Sequence, residues 1–452
     1  MSEPICKIFV PYGALGTGIT DESFEAGVAL GPDAIVCDAG STDSGPYYLG
    51  TGRCKYARDV LKEDFTRMVV AGRKLGVPVM VGSAGTCGTD KGVDDLFDIC
   101  KEICAEQKIS AKVALVYCSQ DGAALKQKYL EGKIKPLPGA PAIDESVFEQ
   151  CTNIVGLAGA EPFIQALRDG ADIVICGRAT DTAILAALPL MKGCGEGACW
   201  HGAKTAECGS ICTTNPAGGG VFLTFDKDSF TIEPTSEDSA CTPYSVSAHM
   251  IYENSNPYQL REPSGLLDTT EAKYEALDER RVRVSGDKFT HMDYTIKLEG
   301  SSLAGYQTVT VVGLRDKRLM KDPEHWLSNL KQYVSAKMGK YHLDESAYTI
   351  DFKMYGYNAV SPVTAPDFVP EEIGLVMIVT ARDQALATRI AKIYNPYLLH
   401  FPVKLNEQLP SFALLFSPAE IEKGPVYEFR LNHAVDVENP MELFSIRMEE
   451  IV

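Results

Sequence analysis

The stretch AIVCDAGSTDSGPYYLGTG, residues 34–52, decides the fold. It opens on the unbroken apolar run Ala34-Ile-Val-Cys37 and then breaks at Asp38 into a loop of Gly, Ser, Thr and Asp. A short apolar run without polar alternation, closed by chain breakers, reads as a strand buried on both faces, as in a parallel sheet. The pattern recurs: Cys6–Val10, Ala34–Ala39, Val77–Val81, Val113–Tyr117, Ile154–Ala158 and Ile173–Cys176 each end in such a loop. Helical periodicity fills the gaps between them, so the order is β-α-β-α. This predicts an α/β fold with a mostly parallel sheet and flanking helices. Parallel connections bring the C-terminal strand ends to one edge, where such folds bind ligands. The loops after the strands therefore form one expected site.

Helix punctuation agrees with the strands. A helix from about Tyr56 to Leu75 carries Leu61, Phe65, Met68 and Val69 at helical spacing, with Gly76 as its cap. Another, Glu161–Asp169, has Pro162 in its first turn and Gly170 beyond its end. Thr180 or Asp181 can cap the next helix, and Pro189 is expected to end it. From Gly195 to Gly220 the chain is rich in Gly, Cys and Thr and reads as a long functional loop or a short helix plus turn. Alternating runs follow at Val221–Thr224, Phe230–Glu233, Val282–Val284, Tyr294–Leu298 and Thr308–Val312, as antiparallel strands require. A helix is expected near His325–Met338. Beyond it, Tyr348–Lys353, Leu375–Thr380, Val426–Leu431 and Leu443–Met448 read as strands around a helix at Asp383–Ile393, a small α+β pattern of split β-α-β type. The expected division is 1–212, a parallel α/β domain; 213–345, a β-rich antiparallel extension; and 346–452, the small α+β domain.

Sixty-one acidic against 43 basic side chains leave a net charge of -18. Nucleic acid and anionic membranes are poor broad-surface partners for such a chain, since phosphate binding needs clustered positive charge. A small anionic substrate in a local pocket is not excluded. No basic start with a long apolar stretch points to a secretory signal or a membrane span, so a cytoplasmic protein is expected. The 14 cysteines are scattered, mostly inside apolar strands and helices, and read as small buried hydrophobes in a reduced compartment. Cys100 and Cys104 share an apolar helical stripe with Val93, Leu96, Phe97 and Ile103, which favours core packing over half a metal site. Cys194, Cys199, Cys208 and Cys212 cluster locally, but their spacings match no zinc module closely.

Several loops could carry chemistry. Gly13-Ala-Leu-Gly16-Thr-Gly18 does not match G-x-G-x-x-G, and no GxxxxGK[ST] occurs, so a nucleotide cofactor is not expected. The loop Asp38–Gly52 presents Asp38, Ser41, Thr42 and Asp43, and it is longer than a simple βα connection needs. The loop Gly82–Gly92 carries Ser83, Thr86, Cys87, Thr89 and Lys91 just before a helix start, where exposed N–H groups attract anions. Cys87 is the cysteine to test for reactivity, because a helix start lowers a thiol pKa. A glycine-rich structural turn accounts for it equally well. Glu161, Arg178 and Asp181 end the fifth and sixth apolar runs; Arg178 suits a substrate carboxylate, and Glu161 or Asp181 an acid or base. Helix capping and an internal Arg–Asp pair are their alternative roles. Helical spacing places Lys204, Glu207 and Cys208 on one face beside His201, a face that solvent would explain equally well. Asn215 adds a polar group to the Gly195–Gly220 stretch. His249 reads as a satisfied core histidine. GxSxG is absent, and no Ser/His/Asp triad can be assembled.

The segments GPDAIVCDAGSTDSGPYYLGTG, VGSAGTCGTDKGVDD, GAEPFIQALRDGADIVICGRATDTA and AECGSICTTNPAGGGVF resemble the acyclic terpene utilisation protein family. The later CTPYSVSAHMIYENSNPY and DERRVRVSGDKF fit the same pattern, so the resemblance spans roughly residues 1–345. The final segment resembles the ferredoxin-like domain that accompanies the family. The resemblance implies a catabolic enzyme and a short partner protein; it supplies no set of catalytic residues. A mutase label used for some members finds no cobalamin-binding DxHxxG here.

The expected function is a catabolic enzyme acting on a small carboxylic acid or its coenzyme A thioester. A lyase or hydratase is favoured, with Asp38, Asp43, Glu161, Asp181, Lys204 and Glu207 as candidate acids and bases. Ser41, Thr42, Ser83, Thr86, Cys87, Thr89, Lys91, Arg178 and Asn215 are the candidate substrate-binding residues. A divalent metal on Asp38, Asp43 or Glu161 could assist. Homo-oligomerisation is expected. The alternatives are a hydrolase of an amide, lactone or thioester using Cys87, Cys208 or metal-bound water, and a non-catalytic binding subunit.

Overall fold

A computed structural model describes residues 4–365, 367–404 and 406–452. Nine strands open the chain: β1 (Cys6–Val10), β2 (Ala34–Asp38), β3 (Val79–Gly82), β4 (Ala111–Tyr117), β5 (Ile134–Pro136), β6 (Cys151–Gly156), β7 (Ile173–Cys176), β8 (Val221–Phe225) and β9 (Ser229–Pro234). Five of them lie side by side and parallel in the order β1-β2-β3-β7-β4. Their side chains alternate between two cores. Ile35, Cys37, Val79, Val81, Ile173 and Ile175 enter one, and Ala34, Val36, Met80, Val174 and Cys176 enter the other. Both faces are covered, which is why these strands are continuously apolar rather than alternating. The helices Arg58–Leu75 and Asp90–Gln107 supply the first core, and Ala183–Met191 and Glu196–Ala206 the second.

The sheet as a whole is mixed rather than mostly parallel. It has ten strands, because β8, β9 and the hairpin Val282–Ser285/Lys273–Ala276 extend it antiparallel from β1. At the other edge Ser445–Ile451 pairs antiparallel with β4. That last strand belongs to the tail that the sequence assigns to a separate domain, and it closes an otherwise exposed apolar edge. The other departure is β6. Its apolar end reads as a parallel strand, but it pairs antiparallel with Leu298–Ser302, outside the main sheet. A continuous apolar run reports burial on two faces and says nothing of strand direction.

The chain divides into two compact units, one running to Ser302 and including Phe429–Val452, the other Leu303–Glu428. Neither division coincides with the sequence boundaries at 212/213 and 345/346. In the second unit Tyr306–Leu314 pairs antiparallel with Ile373–Ala381, which pairs in turn with Tyr348–Tyr355. The helices Pro323–Met338 and Gln384–His400 pack on this sheet through Trp326, Leu330, Val334, Ile390 and Tyr394.

Local punctuation holds in places and fails in others. Gly76, at φ +70°, caps the Arg58–Leu75 helix, and Pro162 lies in the first turn of Glu161–Arg168. Pro189, however, sits inside the Ala183–Met191 helix. Among the described residues no helix is long and apolar enough to cross a membrane.

Candidate functional site

The C-terminal ends of β1 and β2, the loop after β7 and the turn after helix Glu196–Ala206 enclose a cavity of about 260 Å³. Asp38, Ser41, Asp43, Lys55, Asp181, Glu207 and Cys208 line it with Tyr56, Tyr252 and Glu253. The turn reaches this edge through glycines. A Cβ on Gly13 would stand 2.6 Å from the Cys208 carbonyl oxygen, and Gly209 (φ +60°) lies equally tight against Gly13. Backbone packs on backbone here, and that carries Glu207 and Cys208 to the strand ends.

Asp38 is the last residue of β2 and is buried. Its Oδ2 accepts from the Gly40 N–H at 2.9 Å. Among the described residues its Oδ1 has no hydrogen-bond partner. Burial, reinforced by the neighbouring Asp181, pushes its pKa well above the ordinary carboxylate range; Arg178, the Gly40 N–H and the nearby Ser83 hydroxyl oppose the shift only in part.

Arg178 anchors the corner from behind. Its Nε donates to Glu299 Oε2 at 3.1 Å, and its Nη1 donates to Ser83 Oγ (3.0 Å), the Ala179 carbonyl (3.1 Å) and Asp181 Oδ1 (3.2 Å). Burial works against its charge, but Glu299, Asp181 and Asp38 keep it protonated. Burial likewise works upward on Glu299, yet Arg178 and Lys297 outweigh it and hold that carboxyl at about 2. Lys297 Nζ lies 2.8 Å from Glu299 Oε1. Nε and Nη1 of Arg178 are thus engaged by the protein, and the residue is absent from the described cavity lining, whereas the sequence reading gave it a substrate carboxylate. The cation on the described lining is Lys55, which lies just past the long loop after β2 and which the sequence reading passed over.

Lys204 and Glu207 are both buried, which overturns the solvated-face alternative. Lys204 Nζ donates to Glu207 Oε1. Burial opposes the Lys204 charge, but Glu207 raises its pKa overall. Burial pushes Glu207 up to about 8; Asp181 and Glu262 add to the shift, and Lys204 lessens it. Glu262, also raised to about 8 by burial, accepts from Thr182 Oγ1 at 2.8 Å. Neither Glu262 nor Glu299 carries a sequence signal; each lies on an antiparallel strand more than 80 residues beyond the parallel segment.

His249 is buried as expected, but it is not satisfied: its Nε2 has no partner among the described residues. Burial, aided by Lys204, lowers its pKa to about 4. A ring nitrogen of His249, Cys208 Sγ and a Glu207 carboxylate oxygen lie within 4.8 Å of one another. Asp38, Asp43 and Glu161, each a candidate metal ligand from sequence, belong to no cluster of three such ligands among the described residues. Nor do Cys194, Cys199, Cys208 and Cys212 form one together.

The other candidates fall into two groups. Ser41 and Asp43 line the cavity and bond to each other at 2.9 Å, with Thr42 buried beneath the same short turn. The rest lie outside the described lining. Glu161 accepts from the Tyr294 hydroxyl at 2.5 Å and lies outside the described lining. Thr86 Oγ1 accepts from the Lys55 N–H at 2.9 Å, Thr89 caps its helix through the Gly92 N–H, and exposed Lys91 pairs with Asp95. Asn215 bonds to Asp238 and to its own turn. Cys87 packs against Leu49 and Val155, and burial pushes its thiol up to about 12. The helix start does not activate it, because the thiol is shielded from water. Burial raises Cys208 as well.

The fold and site define an α/β protein whose acid-lined cavity sits at the C-terminal edge of parallel strands. A family model described as acyclic terpene utilisation family protein AtuA matches residues 51–192 and 223–408. The chain belongs to that family. The match runs beyond residue 345, where the sequence resemblance was expected to stop. Searches of curated proteins and of solved structures each found no match.

Proposed function

We propose that this protein is an enzyme that moves a proton next to the carbonyl of a small acyl compound, in a lyase or hydratase reaction that adds or removes water or ammonia. The observation that carries this reading is Asp38, a buried carboxyl beside the cavity with one oxygen unsatisfied by the described protein. A carboxylate held above its ordinary pKa is a stronger base, and such groups serve proton transfer. Asp181 shares the corner, and the Arg178–Glu299 ion pair fixes its position. Lys55 would meet the negative charge that develops on the carbonyl oxygen.

The lining sets five carboxyl groups, Asp38, Asp43, Asp181, Glu207 and Glu253, against Lys55. That balance favours the uncharged reacting end of a coenzyme A thioester over a free carboxylate. The raised pKa values of buried Cys87 and half-buried Cys208 weigh against the cysteine hydrolase. We also read the second unit as ferredoxin-like. Apart from the two-residue strand Ala413–Leu414, its order is strand, helix, strand, strand, helix, strand, starting at Leu303 rather than at 346 and ending at Glu428, within the strand Glu420–Asp436.

Short acyl thioesters and their parent acids, incubated with the full chain and followed by mass spectrometry, test the reading. Product from thioesters with the unaltered chain, and none with Asp38→Asn at an unchanged melting temperature, is expected. Equal turnover by the variant would overturn it, and activity only with an added neighbouring protein would favour the binding-subunit alternative.

A further inference from the structure

We propose that Glu207, Cys208 and His249 form a zinc-type metal site in the wall of the cavity. Three observations combine. Their ligand atoms lie within 4.8 Å of one another. Zinc holds N, S and O ligands at about 2.0–2.3 Å, so small side-chain adjustments would close the set around one ion. His249 is 3% exposed, and its Nε2 lacks any described partner, a cost that a buried polar atom bears only when something else satisfies it. Finally, Glu207 and Cys208 also line the cavity, so an ion here would keep a coordination position open toward a ligand. Three protein ligands and an open position are the pattern of a reactive rather than a structural zinc.

The surroundings suit a cation despite Lys204. That lysine donates to Glu207 Oε1 and so orients the carboxylate, as the outer partners of metal ligands do. Asp181 and Glu262 both act on Glu207, and Glu253 lines the same cavity, so carboxyl groups outnumber this ammonium. The mixed N, S and O donor set selects zinc over magnesium or calcium, which prefer oxygen throughout. Glu207 and Cys208 adjoin in sequence, but His249 arrives from 41 residues later on a short turn, so no spacing motif announces the set.

This inference does not rest on Asp38 as the base. The full chain, stripped of metal and titrated with Zn²⁺ and with Co²⁺, tests it. One equivalent should bind, the cobalt form should show thiolate-to-cobalt charge-transfer absorption, and zinc should protect Cys208 from alkylation as mapped by mass spectrometry. Cys208→Ser should abolish the charge-transfer band, and His249→Gln should weaken zinc binding by about tenfold or more. Cys54→Ser, a control outside the set, should change neither. Absence of stoichiometric binding, unprotected Cys208 in the zinc-loaded chain, or a thiolate band that survives Cys208→Ser would each overturn the site. The alkylation readout uses the unaltered chain, so a variant that fails to fold leaves the test intact. Failure of proton transfer at Asp38 would leave these metal readouts unchanged.

Discussion

Two loops at the same sheet edge, Asp38–Gly52 after β2 and Gly82–Gly92 after β3, look alike in sequence and differ in use. Both mix glycine, hydroxyls and a carboxylate. The first turns Asp38, Ser41 and Asp43 toward the cavity and, just past its end, presents Lys55. The second spends its polar groups internally: Ser83 on Arg178, Thr86 on the Lys55 N–H, and Thr89 on a helix cap. Backbone crowding separates them. A Cβ on Gly88 would lie 2.0 Å from the Arg178 backbone nitrogen, whereas one on Gly45 would meet nothing within 4 Å. At Gly88 the β3 loop is wedged against the backbone after β7, while its Gly85 and Gly92 line a separate cavity of about 270 Å³ that holds none of the acidic corner. The β2 loop stands partly clear, so its groups remain available to something from outside.

The largest effect that could break this comparison comes from Gly88→Ala. The clash is with backbone at φ +63°, and the expected cost exceeds about 4 kcal/mol, enough to lose the folded state. Gly45→Ala should cost about 1–3 kcal/mol, from its positive φ alone. Chemical denaturation of both variants measures the gap; similar losses would mean that the loops are equally constrained.

Next in size is Glu299→Gln, which leaves Arg178 buried beside a neutral partner. A loss of about 3–5 kcal/mol is expected. Glu299 is held at about 2, below its ordinary value near 4.5, so its stabilisation is fully present above that ordinary value. It fades as pH falls from there toward 2. The variant should therefore lose part of the acid sensitivity of the unaltered chain. Acid-unfolding curves that superimpose would show that the pair contributes nothing. The smallest effect is expected at Lys91→Ala, since an exposed pair with Asp95 contributes within about 0.5 kcal/mol. A larger loss, or a loss of ligand binding, would return the β3 loop to the site.

The parallel core was legible because burial on two faces leaves an apolar run that composition alone exposes, as at Ala34–Cys37 and Ile173–Cys176. Strand direction was not legible, and β6 and Ser445–Ile451 show why: pairing partners lie far along the chain. Helix Glu196–Ala206 was obscured by glycine and cysteine, residues that suit it because Gly202 packs against Phe225 and Phe230. In the site, Asp38, Asp43, Asp181 and Glu207 could be picked out as carboxylates at strand and helix ends. The ion pair of Arg178 with Glu299 was hidden because the two lie 121 residues apart. Lys55 and the unsatisfied nitrogen of His249 carried no pattern, since cavity lining and missing partners are properties of three dimensions.

The central claim, that the carboxylate of Asp38 removes a proton beside a substrate carbonyl, is tested most directly by hydrogen exchange. Short acyl thioesters are incubated in D₂O with the unaltered chain and with Asp38→Asn, and deuterium entering next to the carbonyl is followed by NMR. The unaltered chain should catalyse exchange whose rate rises with pH as the buried carboxyl ionises, since its pKa is raised and only the ionised form acts as a base. The folded variant should show none above the buffer rate. Exchange of equal rate in both proteins, or in neither, would contradict the account.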